Sequence, residues 1–436
     1  MEEKKRNNML LACKGGEKTI LKEPEEMFHW PIVTEEDISA VTDVLRAGTM
    51  SGTGITKLFE KEFSSWIGSK YALAFCNGTA SILAGLWALG IGAGDEVICP
   101  SMTYWASAAP VLSLGASVRF CDIDRRTLCI DPADIEHRVN DRTKAIVVVH
   151  YAGHPCPMDE ITAIAKKHGL KILEDASHAQ GSLYKGRKCG AIGDVGCMSM
   201  MAGKSFAIGE GGMLVTDNRE IYERAIAFAH YERTGVPSRF NPPDSQITID
   251  YLKHFAGVPL GAMKGRMNQT CSAMGRVQLK YFPQRIQGIQ DAINYFWSKL
   301  EGLPGLKPHR PDMWENSTCG GWYYVQGLYC NEELGGLSSE VFSKAINAEG
   351  VGYCFPGGNS PLHVHPFFTE SDVFHLGKPT ASYFNGVEPV VEKLPVSESI
   401  HDICIAIPWF KHLDKPVIDK YATAFRKVIE NADQLI

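Results

Sequence analysis

From Tyr71 onward the chain alternates short apolar, β-branched runs with longer helical patterns, and this alternation restricts the fold more than any other feature of the sequence. The runs 71–76, 96–100, 117–122, 144–150, 171–175 and 213–216 are predicted strands. Helical patterns between them imply crossover connections, hence α/β layers around a mainly parallel sheet. Ala145-Ile146-Val147-Val148-Val149 is continuously apolar, the pattern of an inner strand covered on both faces. Asp175 then falls at the carboxyl end of its strand, where ligands of open α/β sheets bind.

Thr34-Glu35-Glu36-Asp37 fits a capping box, and Ile38, Val41, Val44 and Leu45 follow at helical spacing as far as Gly48. Helical pattern dominates 269–303, and beyond 304 the chain is mixed and richer in Pro and Gly. The division expected is an N-terminal segment 1–30, a large α/β domain 31–268, and a helical connection with a small C-terminal α+β domain 269–436. At 436 residues and 44% hydrophobic content the chain is long enough for two packed domains.

A formal charge of −6 provides no overall basic field to attract nucleic acid or acidic lipid. Residues 1–8 are charged, and the apolar run 9–12 is too short for a signal-peptide core. Leu10-Leu11-Ala12-Cys13 matches a lipoprotein cleavage box only by coincidence, since no apolar region precedes it. No run is apolar for long enough to span a bilayer. The expectation is a cytoplasmic protein with neither a nucleic-acid nor a membrane partner. Thirteen cysteines, an odd number without a Cys-x-x-Cys pair, suggest small buried hydrophobes in a reducing compartment, with neither disulfides nor zinc.

Several short segments carry chemistry. Asn77-Gly78-Thr79-Ala80-Ser81 lies between a strand and a helical stretch. A turn glycine followed by a helix start offers free N–H groups to a phosphate, although any strand-turn-helix junction can carry the same residues. Tyr104 and Trp105 follow the next strand. An aromatic ring there can stack on a flat cofactor, but core packing is the commoner fate of such residues.

Glu174 and Asp175 follow the apolar Ile172-Leu173, so one of the two acids should point inward. A protonated ring nitrogen would satisfy it, as would a Lys or Arg. His178 is placed either to hydrogen-bond a cofactor's ring oxygen or to satisfy the backbone. Lys204 stands among Met198, Met200, Met201 and Phe206, surroundings that desolvate its amine and favour a neutral nucleophile able to form a Schiff base with an aldehyde cofactor. Gly209-Glu210-Gly211-Gly212 supplies a tight turn beside it. The nucleotide-binding pattern G-x-x-x-x-G-K-[ST] fails here, because Met198 stands where its first glycine is required. His363-Val364-His365 lacks a neighbouring acid or cysteine to complete a metal site. The run Trp322-Tyr323-Tyr324 is predicted to be a strand of the small domain rather than a sugar-stacking surface.

In their order and spacing these segments, from about His29 to Lys427, resemble the DegT/DnrJ/EryC1/StrS family of pyridoxal-phosphate (PLP) sugar aminotransferases. The resemblance implies the type I PLP-dependent aminotransferase fold and a homodimer with sites at the subunit interface. It makes Lys204 the Schiff-base lysine, Asp175 the partner of the pyridine nitrogen and His178 a contact of the ring oxygen. It assigns the phosphate to Thr79, Ala80 and Ser199 beside the turn at Gly78, and a stacking role to Tyr104. Gly265-Arg266-Met267-Asn268 is similar to the family segment in which an asparagine reaches the partner subunit's phosphate. Lys264 stands in place of that asparagine, and a lysine can meet a phosphate as a point charge.

Three details resemble the glutamine:scyllo-inosose aminotransferase branch: 11–16, 230–235 and Lys264 itself. The activity implied is transamination of a keto-sugar or ketocyclitol with glutamate or glutamine as amino donor. The family also contains sugar dehydratases with histidine in place of the lysine, against which Lys204 speaks. A non-catalytic regulator binding PLP or an amino sugar is the other alternative, against which the joint presence of Lys204, Asp175, His178 and Ser199 speaks.

Overall fold

The computed structural model describes residues 10–236, 244–388 and 390–436, so the charged run 1–8 and the first residue of the apolar run 9–12 lie outside the described residues. Short apolar segments assemble into a seven-stranded sheet. Its strands are β1 (Tyr71–Phe75), β2 (Glu96–Pro100), β3 (Ser117–Cys121), β4 (Thr143–Val149) and β5 (Lys171–Asp175). After a two-stranded ribbon, β6 (Leu183–Tyr184) and β7 (Arg187–Lys188), come β8 (Val195–Ser199) and β9 (Gly212–Thr216). The order is β1-β9-β8-β5-β4-β2-β3. Pairings from β8 to β3 are parallel, while β9 is antiparallel to both neighbours.

The apolar run in β4 behaves as its pattern demands. Ala145, Val147 and Val149 pack into one core with Val97, Leu173 and Leu214, whereas Ile146 and Val148 face another with Ile98, Ile172 and Met213. Both faces are covered, and each such Val or Ile contributes about 1.5–3 kcal/mol by leaving water. Helix Gly78–Ala88 packs Ile82 and Leu86 onto the first face, and helix Gly54–Ile67 packs Phe59 and Phe63 onto the second. Helix Glu35–Arg46 begins with the expected capping box between Thr34 and Asp37. Val44 of its apolar stripe is buried, while Ile38 and Leu45 are about half exposed.

Helix Gln269–Lys299 starts at an Asn268 cap and leads to a second sheet. Strands β10 (Leu306–Pro308), β11 (Gln326–Tyr329), β12 (Phe355–Pro356) and β13 (Cys404–Ala406) pair antiparallel in the order β10-β11-β13-β12. Their core joins Phe296, Trp297, Phe342, Ile405 and Phe425. Leu11, Ile20 and Met27 belong to the same core, so the N-terminal segment docks on the C-terminal sheet. The Ala12 N–H donates to Glu349 at 2.8 Å, and Lys427 pairs with that buried carboxylate at 2.9 Å. Trp322-Tyr323-Tyr324 is not a strand. It is a turn before β11, with Trp322 and Tyr324 at φ 51° and 58°, a conformation incompatible with a ladder. All thirteen cysteines are free, and most are buried. No helix among the described residues is long and apolar enough to cross a membrane.

Candidate active site

The carboxyl ends of β2, β4, β5 and β8 open onto one cavity of about 490 Å³, lined in part by Gly78, Thr79, Tyr104, Asp175, His178, Ser199 and Lys204. Segments separated by more than a hundred residues are brought together because parallel strands present the same end to the same side of the sheet.

Both adjacent acids at the end of β5 are buried, and they serve different purposes. Glu174 accepts from the N–H groups of Gly190, Ile192 and Gly193 at 2.7, 2.6 and 2.6 Å, and lies 2.9 Å from His150 Nε2. His150 Nδ1 accepts from Cys156 N–H, so its proton resides on Nε2 and is donated to Glu174. Burial works against the charge of Glu174, yet His150 and the backbone donors hold its carboxyl below the usual value. Its hydrogen bonds are satisfied and its role is structural. Asp175 lines the cavity, accepting at Oδ2 from Ser107 Oγ at 2.7 Å and at Oδ1 from Ser177 N–H at 3.0 Å. A carboxylate has about four acceptor positions, so capacity remains for a donor inside the cavity.

Lys204 is 8% exposed, with Nζ 4.1 Å from the centre of the Tyr323 ring. Burial brings its amine down from the ordinary lysine value to about 8, while the charge of Asp175 opposes a further fall. Its backbone is held on two sides: Lys204 N–H donates to Met201 O at 2.8 Å, and Trp30 Nε1 donates to Lys204 O at 2.8 Å. Gln180 ties the next residues to β8 by accepting from Ser205 Oγ and Phe206 N–H and donating to Ser199 O. His178 is buried, and desolvation first, then the nearby Lys204 charge, hold its imidazole well below the ordinary histidine value. Its Nδ1 accepts from Ala152 N–H at 3.4 Å, which leaves the proton on Nε2 as a donor. His178 therefore does bond the backbone.

Helix Gly78–Ala88 points its N-terminus at the cavity. Asn77 Oδ1 caps it by accepting from Ala80 N–H at 2.8 Å. The Ala80 amide is engaged by this cap, whereas the N–H groups of Gly78 and Thr79 carry no hydrogen bond among the described residues and are left for an anion. Gly78 is required for packing, since a Cβ there would stand 2.7 Å from Ser199 Cβ. This close approach sets Ser199 beside the helix terminus. Tyr104 is 51% exposed and tilted against Trp105 at the cavity rim, not packed in the core.

Lys264 is exposed, 5.4 Å from the Tyr231 ring, and does not line the cavity of its own chain. His363 is remote from this chemistry: its Nδ1 lies 2.7 Å from Ser101 Oγ and its Nε2 3.2 Å from Glu398. The acid thought to be missing near His363 arrives from 35 residues downstream, but no group of three or more ligands is assembled among the described residues. Sequence reasoning missed Ser107, Ser177, Gln180, Trp30 and the cavity-lining Tyr323 and Tyr324. Ser177 lay inside a segment already singled out, whereas nothing local marked Gln180 or Trp30.

A seven-stranded, mostly parallel sheet with a small C-terminal sheet and a lysine-carboxylate cavity defines the PLP-dependent aminotransferase fold. The chain belongs to the DegT/DnrJ/EryC1/StrS aminotransferase family, whose sequence model matches residues 31–426. It is 30% identical over 411 residues to the spore coat polysaccharide biosynthesis protein SpsC of Bacillus subtilis (strain 168), covering 93% of this chain and 97% of that protein. An aminotransferase from Psychrobacter cryohalolentis superposes with a TM-score of 0.78 at 28% identity, covering 93% of this chain and all of the other. GDP-4-keto-6-deoxymannose-3-dehydratase (ColD), crystallised with GDP-perosamine, shares the fold with a TM-score of 0.75 at 23% identity, covering 92% and 99% of the two chains.

Proposed function

We propose that this protein is a PLP-dependent aminotransferase that moves an amino group from glutamate or glutamine to a keto-sugar or ketocyclitol, and that it works as a homodimer. The observation that carries the reading is the buried Lys204 amine in one cavity with the half-satisfied Asp175 carboxylate, opposite a helix N-terminus with two free amides. These residues fit PLP: an amine for its aldehyde, a carboxylate for its ring nitrogen and a cradle for its phosphate. When bound, PLP supplies an electron sink for the pair left when the donor's Cα–H bond breaks.

The chain's own groups perform the remaining work. Lys204 Nζ, once released by the incoming amino donor, accepts the Cα proton as a base and returns it as an acid. Asp175 keeps a proton on the ring nitrogen, and Ser107 and Ser177 fix the direction of its oxygens. His178 Nε2–H is a donor for the ring oxygen. Gly78, Thr79 and Ser199 would hold the phosphate, and Tyr104 at the rim would offer its ring face to the cofactor. Lys264, outside its own cavity, serves the phosphate of the partner subunit. Residues 31–268 carry most of the cofactor cradle, and 269–436 add the wall at Tyr323, Tyr324, Tyr353 and Asn359.

The dehydratase reading has the fold in its favour, but lysine at 204 favours transamination. The test is the absorbance spectrum of the purified protein with PLP, before and after glutamate or glutamine, for the natural chain and for Lys204→Ala. Loss of the cofactor's visible band on adding donor, absent in Lys204→Ala, is the expected result. PLP binding with no response to any donor would favour the dehydratase or regulator, and no PLP binding would sink the proposal.

A further inference from the structure

A second cavity of about 310 Å³ adjoins the first across Tyr323, Tyr324 and Tyr353, and Gly203, the neighbour of Lys204, also lines it. Tyr353 is 44% exposed and stands at the rim common to both. Phe28, Val351 and Trp409 form much of the wall. At one side is Lys411, only 6% exposed, with its ammonium group over the Trp409 ring and 5.1 Å from that of Trp30. Among the described residues Lys411 Nζ has neither a hydrogen bond nor an ion pair, and aromatic faces are its only partners.

Ring faces recover about 0.5–2 kcal/mol for a cation, less than it costs to bury a charge without a counter-ion. Burial accordingly lowers the Lys411 amine to about 6. The site stays open to an external anion that would restore the charge. Glu23, exposed, is the other charged group lining the cavity, and Tyr323, Tyr324 and Tyr353 line it as well. With Lys411 as its one cationic side chain and the exposed Glu23 on the same wall, the cavity suits one anionic group rather than the two phosphates of a nucleoside diphosphate.

We propose that this second cavity is a subsite for one anionic group, a carboxylate or a phosphate, at the far end of a substrate whose reacting carbon lies at Lys204. The inference rests on the reading of the Lys204 cavity as a transamination site. Two substrates can bring such a group: the donor, through the distal carboxylate of glutamate, and an acceptor sugar carrying a carboxylate or phosphate.

The test uses the full-length Lys204→Ala protein without PLP, labelled at lysine Cε, titrated separately with glutarate and with inorganic phosphate. The expected result is saturable binding of at least one ion that moves the Lys411 Cε resonance toward its ammonium position. Lys411→Met in the same background should weaken that binding roughly thirty-fold or more. A response to glutarate alone assigns a carboxylate, and one to phosphate alone assigns a phosphate. Phosphate bound at Gly78 and Thr79 would leave the Lys411 resonance unmoved, so the two sites are separable. The proposal is overturned if neither ion moves that resonance, or if Lys411→Met binds as tightly as its parent. The resonance is read without changing Lys411, so the result stands even if the Met variant does not fold. None of these readouts needs the cofactor. The subsite can therefore fail while the PLP spectrum behaves as expected, and the reverse.

Discussion

At the scale of single residues, the proposed chemistry draws on the burial of Lys204 and on the spare acceptor capacity of Asp175. The lysine loses its charge more easily because water is excluded, and the carboxylate keeps acceptor capacity because Ser107 and Ser177 supply only two donors. With its amine at about 8, Lys204 is neutral in about a tenth of molecules at pH 7 and in most of them at pH 9. Capture of PLP by the cofactor-free protein should thus accelerate as pH rises through about 8 and level off above it, measured by the growth of the cofactor's absorbance across a pH series. A rate that fell over this range would contradict the assignment of Lys204 as nucleophile. Asp175→Asn keeps the shape but cannot hold a proton on the ring nitrogen by charge. Its half-reaction with donor should slow by about a hundred-fold or more while PLP stays bound, as followed by stopped-flow absorbance.

At the scale of elements, the site depends on how closely helix Gly78–Ala88 approaches β8. Gly78→Ala would drive a methyl group to 2.7 Å from Ser199 Cβ, pushing the helix terminus away from the strand that carries Ser199. PLP affinity should fall by roughly ten-fold, about 1.4 kcal/mol, in equilibrium dialysis, with a smaller change in thermal stability. An unchanged affinity would show that the phosphate is held elsewhere. The same crowding explains why β8 escaped sequence reading. Val195 is the one β-branched residue of β8, and at Gly196 a Cβ would lie 1.8 Å from the Gly190 carbonyl oxygen. The chain gives up strand propensity at that point so that the 190 loop can cross it.

At the scale of the whole molecule, distant segments are joined by buried polar groups. Arg233 reaches Glu60 with two bonds of 2.7 and 2.8 Å, both side chains nearly inaccessible, and Glu60 also accepts from Ala74 N–H in β1. Burial disfavours the guanidinium charge, but Glu60 outweighs it and raises the arginine further. The pair locks the turn Tyr231–Arg233 onto helix Gly54–Ile67 and the sheet edge. His230 adds its Nε2 bond to Ala74 O at 3.1 Å. The 230–235 segment therefore has a packing role in this chain, whatever the branch it resembles. Glu60→Gln leaves Arg233 buried opposite a neutral amide and should cost about 3–5 kcal/mol in denaturant unfolding. A loss below about 1 kcal/mol would mean that water reaches the arginine.

The sequence by itself determined the layered α/β plan, because an inner strand such as 145–149 must be apolar on both sides and a capping box such as Thr34–Asp37 acts within a few residues. It also marked Lys204, Asp175, His178 and the turn at Gly78, since each lies in a short segment whose composition is informative on its own. Tertiary structure alone decided which of Glu174 and Asp175 faces the cavity, because both lie in the same run and their separate roles come from loops that return to the strand end. It decided too that Tyr323 and Tyr324 form a turn against Lys204 rather than a strand. Trp30 reaches the Lys204 carbonyl across 174 positions, and Lys411 lies in an aromatic pocket that no local pattern announces. Local rules act over a few residues; the convergence of strand ends and the burial of single charges depend on the packing of the entire chain.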